Sequence, residues 1–311
     1  MSETGTAGGG GTAAVGGTAA TRGTAGPTGT AARAWARDLG AWALPQHILD
    51  AAPVSPWVHP VAAFEAAEQI PDSPSHRRAR EVLPDGGSVL DVGCGGGVAA
   101  FALCPPAAQV TGVDSQSSML EAFAAEAERR GVAHREVLGR WPDVVTGAPD
   151  PAARSVPEPA PGMGEPALVV HDVVVCHHVL YNVAELPAFV RALDAAAACR
   201  VVLELPLRHP LTAMAPLWRH FWQLERPSGP TAHDALEVIR EAGLPARLEV
   251  SRQPGPQAGR AGVSAERRVE FTRVRLCLPA ERDGEIAEML DALGPPQPRD
   301  LATIWWDCRR R

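Results

Sequence analysis

The stretch VLDVGCGGG, Val89 to Gly97, constrains this chain more than any other. Val89, Leu90 and Val92 lead into a run of glycines, and VAAFAL follows. That order predicts a buried parallel strand, a tight loop and a helix N-terminus. Gly93, Gly95 and Gly97 permit positive φ and close approach of a ligand to bare backbone. The helix start behind them offers N–H groups to an electron-rich ligand. Such a unit is the first half of a nucleotide-type site on a doubly wound sheet.

The pattern also bears on which nucleotide. The dinucleotide fingerprint G-x-G-x-x-G, counted from Gly93, needs a glycine at the position of Val98. The chain instead reads G-x-G-x-G, with Asp91 two residues ahead of the first glycine. QVTGVD, Gln109 to Asp114, predicts a second strand. Asp114 follows the glycines by about 20 residues, the spacing of an acid that accepts both hydroxyls of a ribose. SQSSMLEAFAAEAERRG predicts a helix with Ser115 or Ser117 as cap and Gly131 as stop. His134–Leu138 reads as strand three, and the loop after it carries Gly139, Arg140, Trp141, Pro142 and Asp143. Asp172–Cys176, with three valines in a row, reads as strand four. A helix over Leu186–Ala197 and a fifth strand over Cys199–Pro206 follow. The repeated strand–helix–strand order implies parallel strands with right-handed crossovers.

Further on, Leu211, Met214, Leu217, Trp218, Phe221 and Trp222 recur at helical spacing, a face that suits core packing or a substrate cage. Thr231 with Asp234 resembles a capping box, and Ala246–Arg252 reads as strand six. Glu266–Leu293 is compatible with strand or helix. Leu301–Trp306 predicts a last, antiparallel strand at the far side of the sheet, with one of Trp305 and Trp306 buried and the other partly exposed.

Three regions lie outside this core. Residues 1 to about 30 form a Gly/Thr/Ala tract that cannot offset its ordering entropy, so a disordered tail is expected. Between 31 and 85, Trp35, Leu39, Trp42 and Leu44 make an apolar stripe that Ile48, Trp57 and Phe64 continue more loosely. Pro45, Pro53, Pro56 and Pro60 break it into short helices, an N-terminal cap on the domain spanning 86–311. A Pro/Ala/Gly insert at about 146–166 reads as a flexible surface loop. The net charge of -7 gives no electrostatic footprint for nucleic acid. All 29 side chains counted as Lys or Arg are Arg. None of the six cysteines falls in a C-x-x-C pair, which fits a reduced, cytoplasmic compartment. Neither a signal peptide nor an apolar run of membrane-spanning length is evident.

The motifs together resemble the class I S-adenosylmethionine (SAM)-dependent methyltransferases, in the broad group acting on small molecules. The resemblance covers about Gly86–Leu205 through motifs and the C-terminal third through architecture. It implies an α/β, doubly wound, mostly parallel seven-stranded sheet with helices on both faces, and SAM as cofactor. The loop with Gly93, Cys94, Gly95 and Gly97 would wrap the methionine moiety, and Asp91 would help hold its ammonium group. Asp114, Ser115 and Met119 would line the adenosine. Gly139, Arg140 and Trp141 would edge the adenine, where the family often has an acid. Asp143 stands nearby as a substitute for that acid. Cys176 and His177 would lie beside the sulfonium, and His178, Tyr181 and Asn182 would face the substrate or pack under it. His177 or His178 is the candidate base. Glu204 and His209 come next, because sites lie outside the carboxyl ends of strands. Trp218 joins them as a candidate for the substrate pocket. A metal reading of Cys176-His177-His178 fails, because adjacent strand residues point to opposite faces. The expected partner is a small-molecule methyl acceptor, with no nucleic acid or membrane and a monomeric or homodimeric state. Two other readings stay open: a SAM-binding accessory protein without transferase activity, and a nicotinamide-dependent oxidoreductase.

Overall fold

The computed structural model describes residues 29–57, 66, 68, 70–146, 170–253, 264–295 and 297–308. The expected tail up to residue 28, Pro60, Phe64 and the insert beyond Thr146 lie outside the described residues. The helices α1 (Thr30–Gly40), α2 (Gln46–Ala51) and α3 (Pro74–Arg80) precede the sheet. The first half then runs β1 (Ser88–Val92), α4 (Val98–Phe101), β2 (Gln109–Asp114), α5 (Ser117–Arg130), β3 (Ala133–Leu138) and α6 (Asp143–Thr146). The second half runs β4 (His171–His177), α7 (Leu186–Ala196), β5 (Ala197–Pro206), α8 (Ala215–Trp222), α9 (Ala232–Glu241) and β6 (Arg247–Gln253). It closes with α10 (Ala265–Arg275), α11 (Asp283–Leu293) and β7 (Arg299–Asp307).

The sheet order is β3-β2-β1-β4-β5-β7-β6. Strands β1 to β5 pair in parallel, and β7 pairs antiparallel with both β5 and β6. The order reverses between β1 and β4, and the crevice at that switch point is where such sheets bind ligands. On one face Val89, Val110, Val173, Val175 and Val202 pack with Phe101 and Phe123 of α4 and α5. On the other, Leu90, Val174, Cys176 and Leu203 meet Val190 and Leu193 of α7 and Ile239 of α9. A third cluster, Ile48, Leu217, Trp218, Leu276, Leu278 and Ile286 among others, contains no strand residue. It is the core of a helical cap built from α2, α8, α11 and the segment after α10.

Two expectations about the last strand need correction. β7 is not at the outer side of the sheet; it is inserted between β5 and the edge strand β6. Trp305 and Trp306 are both buried. An interior strand covered by helices on both faces has no wet side. Arg78 of α3 covers the Trp305 ring at 4.4 Å, and Trp306 Nε1 donates to Asp194 of α7 at 2.9 Å. The ambiguous stretch 266–293 is helical, with Ser264 accepting from the Arg267 amide to cap α10. Neither Ser115 nor Ser117 caps α5. Gln116 holds that position without a side-chain bond, and Gly131 ends the helix at φ 67. The Thr231–Asp234 capping box is present at α9.

Gly97 starts α4 at φ 83, and a Cβ there would sit 2.2 Å from Phe101 and 2.8 Å from Phe123. Gly97→Ala therefore combines left-handed strain with overpacking of two rings that cannot swing away. Together these cost about 3 kcal/mol. Urea unfolding will show this as a lowered midpoint, whereas an unchanged midpoint would mean the rings yield freely.

Candidate active site

The carboxyl ends of β1, β2, β4 and β5 gather most of the candidate residues. Asp91 pairs in register with Val175, so Gly93 and His177, each two residues on, emerge side by side. His177 in turn pairs with Glu204. The loop after β1 has Gly93, Gly95 and Gly97 at φ 72, 50 and 83. The first of these is also demanded by packing, because a Cβ on Gly93 would lie 2.4 Å from Val179 in the segment after β4.

Asp114 ends β2 half-buried, with both oxygens oriented by backbone. Oδ2 accepts from the Gly95 amide and Oδ1 from the Gln116 amide, each at 3.0 Å. Asp91 faces inward instead. It is 1% exposed and accepts from the Ala100 amide at 3.2 Å. Burial, reinforced by the nearby Asp114 charge, pushes its carboxyl up to about 7 despite that bond. Part of the N–H supply at the start of α4 is thus already spent on Asp91. Cys94 and Cys176 are buried, and burial raises both thiols well above their ordinary range, so neither is a thiolate nucleophile. Ser115 is exposed after β2, and Met119 is buried on α5. Gly139 takes φ 145 after β3, Arg140 is exposed, and half-buried Trp141 donates from Nε1 to the Phe189 carbonyl at 3.4 Å. Half-buried Asp143 opens α6.

On the β4–β5 side a polar cluster is closed by α3. His178 stands just past β4 at φ 62, its amide donating to the Glu204 carbonyl at 2.7 Å. Its side chain is 53% exposed, with Nε2 3.4 Å from Glu204 Oε1. Glu204 is buried, and its Oε2 accepts from the Ser75 hydroxyl of α3 at 2.5 Å. Burial works against charge on Glu204, but the neighbouring histidines and the Ser75 hydroxyl outweigh it and hold the carboxyl well below its usual range. His76 of α3 stacks on His177 with ring centroids 5.7 Å apart. His76 Nδ1 and His177 Nε2 are buried without hydrogen-bond partners. Cys176 belongs to the core on the opposite face of β4. Among the described residues no group of three His, Cys, Asp or Glu could hold a metal ion.

Tyr181 and Asn182 lie in a short 3-10 turn after β4, Asn182 exposed and Tyr181 buried. Tyr181 donates to the Pro206 carbonyl at 2.9 Å and meets His209 edge-on at 5.0 Å. His209 stacks on Trp42 at 3.8 Å, and Trp218 is buried in the cap core. Sequence reasoning missed Ser75 and His76. Ser73 followed by Pro74 does signal a helix start, but nothing local says that its first turn lands on β5.

Burial keeps three imidazoles neutral. It pushes His177 down to about 3, His209 to about 4, and lowers His76 from the ordinary 6.5. Below pH 6.5 the unfolded chain protonates all three, while the folded chain keeps His177 and His209 neutral and protonates His76 later, so stability falls as pH falls. Asp91, protonated in the fold up to about 7, opposes this by one proton. Counting His177 and His209 against Asp91, the net of one proton gives a loss of about 1.4 kcal/mol per pH unit between about pH 6 and 5, and His76 adds to it in the same direction. Urea midpoints across that range will show it; a flat profile would contradict the burial of neutral histidines.

The family match agrees with this architecture. The profile of the methyltransferase domain family matches residues 66–245, more than half of the chain. The chain belongs to that family. It has the fold of a class I enzyme and is a SAM-dependent methyltransferase. No curated protein sequence matches it. Among solved structures, the YcgJ protein of Bacillus subtilis is similar at 16% identity, covering 76% of this chain and 99% of its own, with a TM-score of 0.47. A SAM-dependent methyltransferase of Thiobacillus denitrificans, in complex with S-adenosylhomocysteine, is similar at 14% identity over 81% of this chain and 96% of its own, TM-score 0.46. Coclaurine N-methyltransferase, bound to N-methylheliamine and S-adenosylhomocysteine, is similar at 13% identity over 88% of this chain and 85% of its own, TM-score 0.46. The strand ends fit the cofactor: a glycine loop in left-handed backbone stands beside a half-buried Asp114 whose oxygens each keep a lone pair for a ribose hydroxyl.

Proposed function

We propose that this enzyme methylates an oxygen, nitrogen or carbon atom of a small molecule, with His178 receiving the acceptor's proton. The observation that carries this reading is the His178–Glu204 pair: an exposed imidazole 3.4 Å from a buried carboxylate, in the residue before Val179, which packs against Gly93 of the glycine loop. When bound, SAM supplies an electrophilic methyl group on a sulfonium. The loop from Gly93 to Gly97 would hold the methionine part, with the remaining oxygen of Asp91 near its ammonium. Asp114 would take the ribose hydroxyls, with Ser115 and Met119 beside the adenosine. Gly139, Arg140 and Trp141 would border the adenine.

Glu204 orients the His178 ring and stabilises the imidazolium formed when the acceptor loses its proton. Held neutral by burial, His177 would serve as a wall beside the reacting atoms rather than as a base. Asn182 and the Tyr181–His209 pair would border the acceptor. Alignment and exclusion of water are the protein's main contributions to an in-line displacement. A small acceptor suits the net charge of -7, which offers no attraction for a polyanion. The test is a panel of small amines, phenols and carbon acids incubated with the protein and SAM, read by mass spectrometry of methylated product. Product from at least one class supports the reading. Turnover only on RNA or protein would refute it.

A further inference from the structure

The helical cap meets the sheet core along a wall of rings, and one charged residue stands at its outer end. The wall runs from Tyr181 to His209 at 5.0 Å and from His209 to Trp42 at 3.8 Å. The Arg226 guanidinium then lies 4.9 Å from the Trp42 ring and 5.3 Å from the Trp218 ring. Tyr181 and Trp218 belong to different cores, the first to the sheet and the second to the cap. The wall therefore spans the junction between the two.

Arg226 has a charge without a counter-charge. Among the described residues no carboxylate lies within ion-pairing distance of it. Its Nη2 donates to the Trp42 carbonyl, while its Nε is buried with no acceptor. The indole N–H of Trp218, on a residue 1% exposed, is buried and also lacks an acceptor. Two adjacent donors, one of them cationic, are left without the acceptor that burial ordinarily demands. The guanidinium carbon lies over both the Trp42 and the Trp218 rings, and guanidinium N–H groups bind anions in the plane of the group, at the edge. A cleft of about 360 Å³ opens beside it, lined by Ala41 and Pro227, the chain neighbours of Trp42 and Arg226, with Asp38, Ser228 and Gly229. The Asp38 carboxylate there is held by Arg37 at 2.8 Å.

We propose that Arg226, with the Trp218 indole, binds an anionic oxygen group of the methyl acceptor, so that the substrates of this enzyme are small carboxylates or phosphates. The assignment rests on the methyltransferase reading of the strand ends and adds the acceptor's charge. The ring wall connects the Arg226 guanidinium to Tyr181, three residues beyond His178. Trp42 and Trp218 report on it directly, because both are fluorophores in contact with the guanidinium.

The test is a fluorescence titration of the full-length protein, saturated with S-adenosylhomocysteine, with benzoate, acetate and inorganic phosphate, and with benzamide as the neutral isostere of benzoate. At least one anion is expected to give a saturable change that benzamide does not. Its affinity should fall at least tenfold in Arg226→Met. Arg226→Lys, which keeps charge but loses the planar fork, should fall between the two and serves in place of the Met variant should that one not fold. Phosphate binding more tightly than the carboxylates would assign a phosphorylated acceptor. The proposal is overturned when no anion gives a saturable response, when benzamide matches benzoate, or when the folded variants bind the anion as the wild type does. In the last case Arg226 is a clamp between the tryptophans. S-adenosylhomocysteine binding, measured separately by calorimetry, is unchanged in the variants. Its absence in the wild type would count against the methyltransferase reading and not against the anion site, which the same titration reads without the cofactor product.

Discussion

Asp114→Ala lowers the affinity for S-adenosylhomocysteine by about 100-fold or more in a calorimetric titration. The carboxylate is placed by two amides, those of Gly95 and Gln116, each at 3.0 Å. Each oxygen keeps a lone pair that a ribose hydroxyl would use in the proposed site, and a hydrogen bond to a charged group is worth about 1.5–3 kcal/mol. Losing two such bonds would cost between about 3 and 6 kcal/mol. Because losses of coupled bonds are not additive, the lower end, a factor near 100, is the safer expectation. The variant also removes the acceptor for the Gly95 amide and so loosens the loop that faces the rest of the ligand. Asp114→Asn, which retains one acceptor oxygen, should bind with intermediate affinity. NAD should not bind the wild type, in keeping with Val98 where the dinucleotide fingerprint needs glycine. Undiminished binding in Asp114→Ala would remove the ribose role from this residue.

The second large effect concerns the imidazole beside Glu204. On an acceptor found in the panel, His178→Ala should lower kcat by about 100-fold to 10,000-fold, the range of a positioned proton acceptor. The affinity for S-adenosylhomocysteine should stay within a factor of about two, which would separate a proton-transfer role from collapse of the pocket. Glu204→Gln should show a smaller loss, because the neutral amide still fills the space but stabilises the imidazolium less. Ser75→Ala leaves Glu204 without one of its donors, so the Glu204 carboxyl should rise from its depressed value. Carbon-13 NMR titration of the glutamate side chains would detect that rise. An unchanged kcat in His178→Ala would point to an acceptor that arrives already deprotonated and needs no base.

Both predictions rest on residues of different legibility. Asp114 could be read because the glycine loop, strand and acid are neighbours in sequence, and β2 spans Gln109–Asp114 as the pattern required. His178 was readable as a candidate because it follows a strand of valines. Its partner Glu204 was placed only by the rule that sites lie at strand ends. Their pairing came from the register of β4 on β5, where His177 stands opposite Glu204. Ser75 and Arg226 carried no such signal. Ser75 reaches Glu204 across 129 positions of sequence, and Arg226 reaches Trp42 across 184. Trp305 and Trp306 show the same limit from the other side. A two-residue alternation predicts one wet face, and only the helices packed on both sides of β7 remove it.

The sequence by itself determined the parallel half of the sheet, the glycine loop and the acid at the end of β2. Those features follow from backbone freedom at glycine and from period and spacing over a few residues. Tertiary structure decided the insertion of β7 between β5 and β6, the closure of the Glu204 cluster by α3 and the junction between cap and sheet. Each of these depends on which distant segments bury apolar surface together, and a polar side chain acquires its partner only after that burial has brought the two segments into contact.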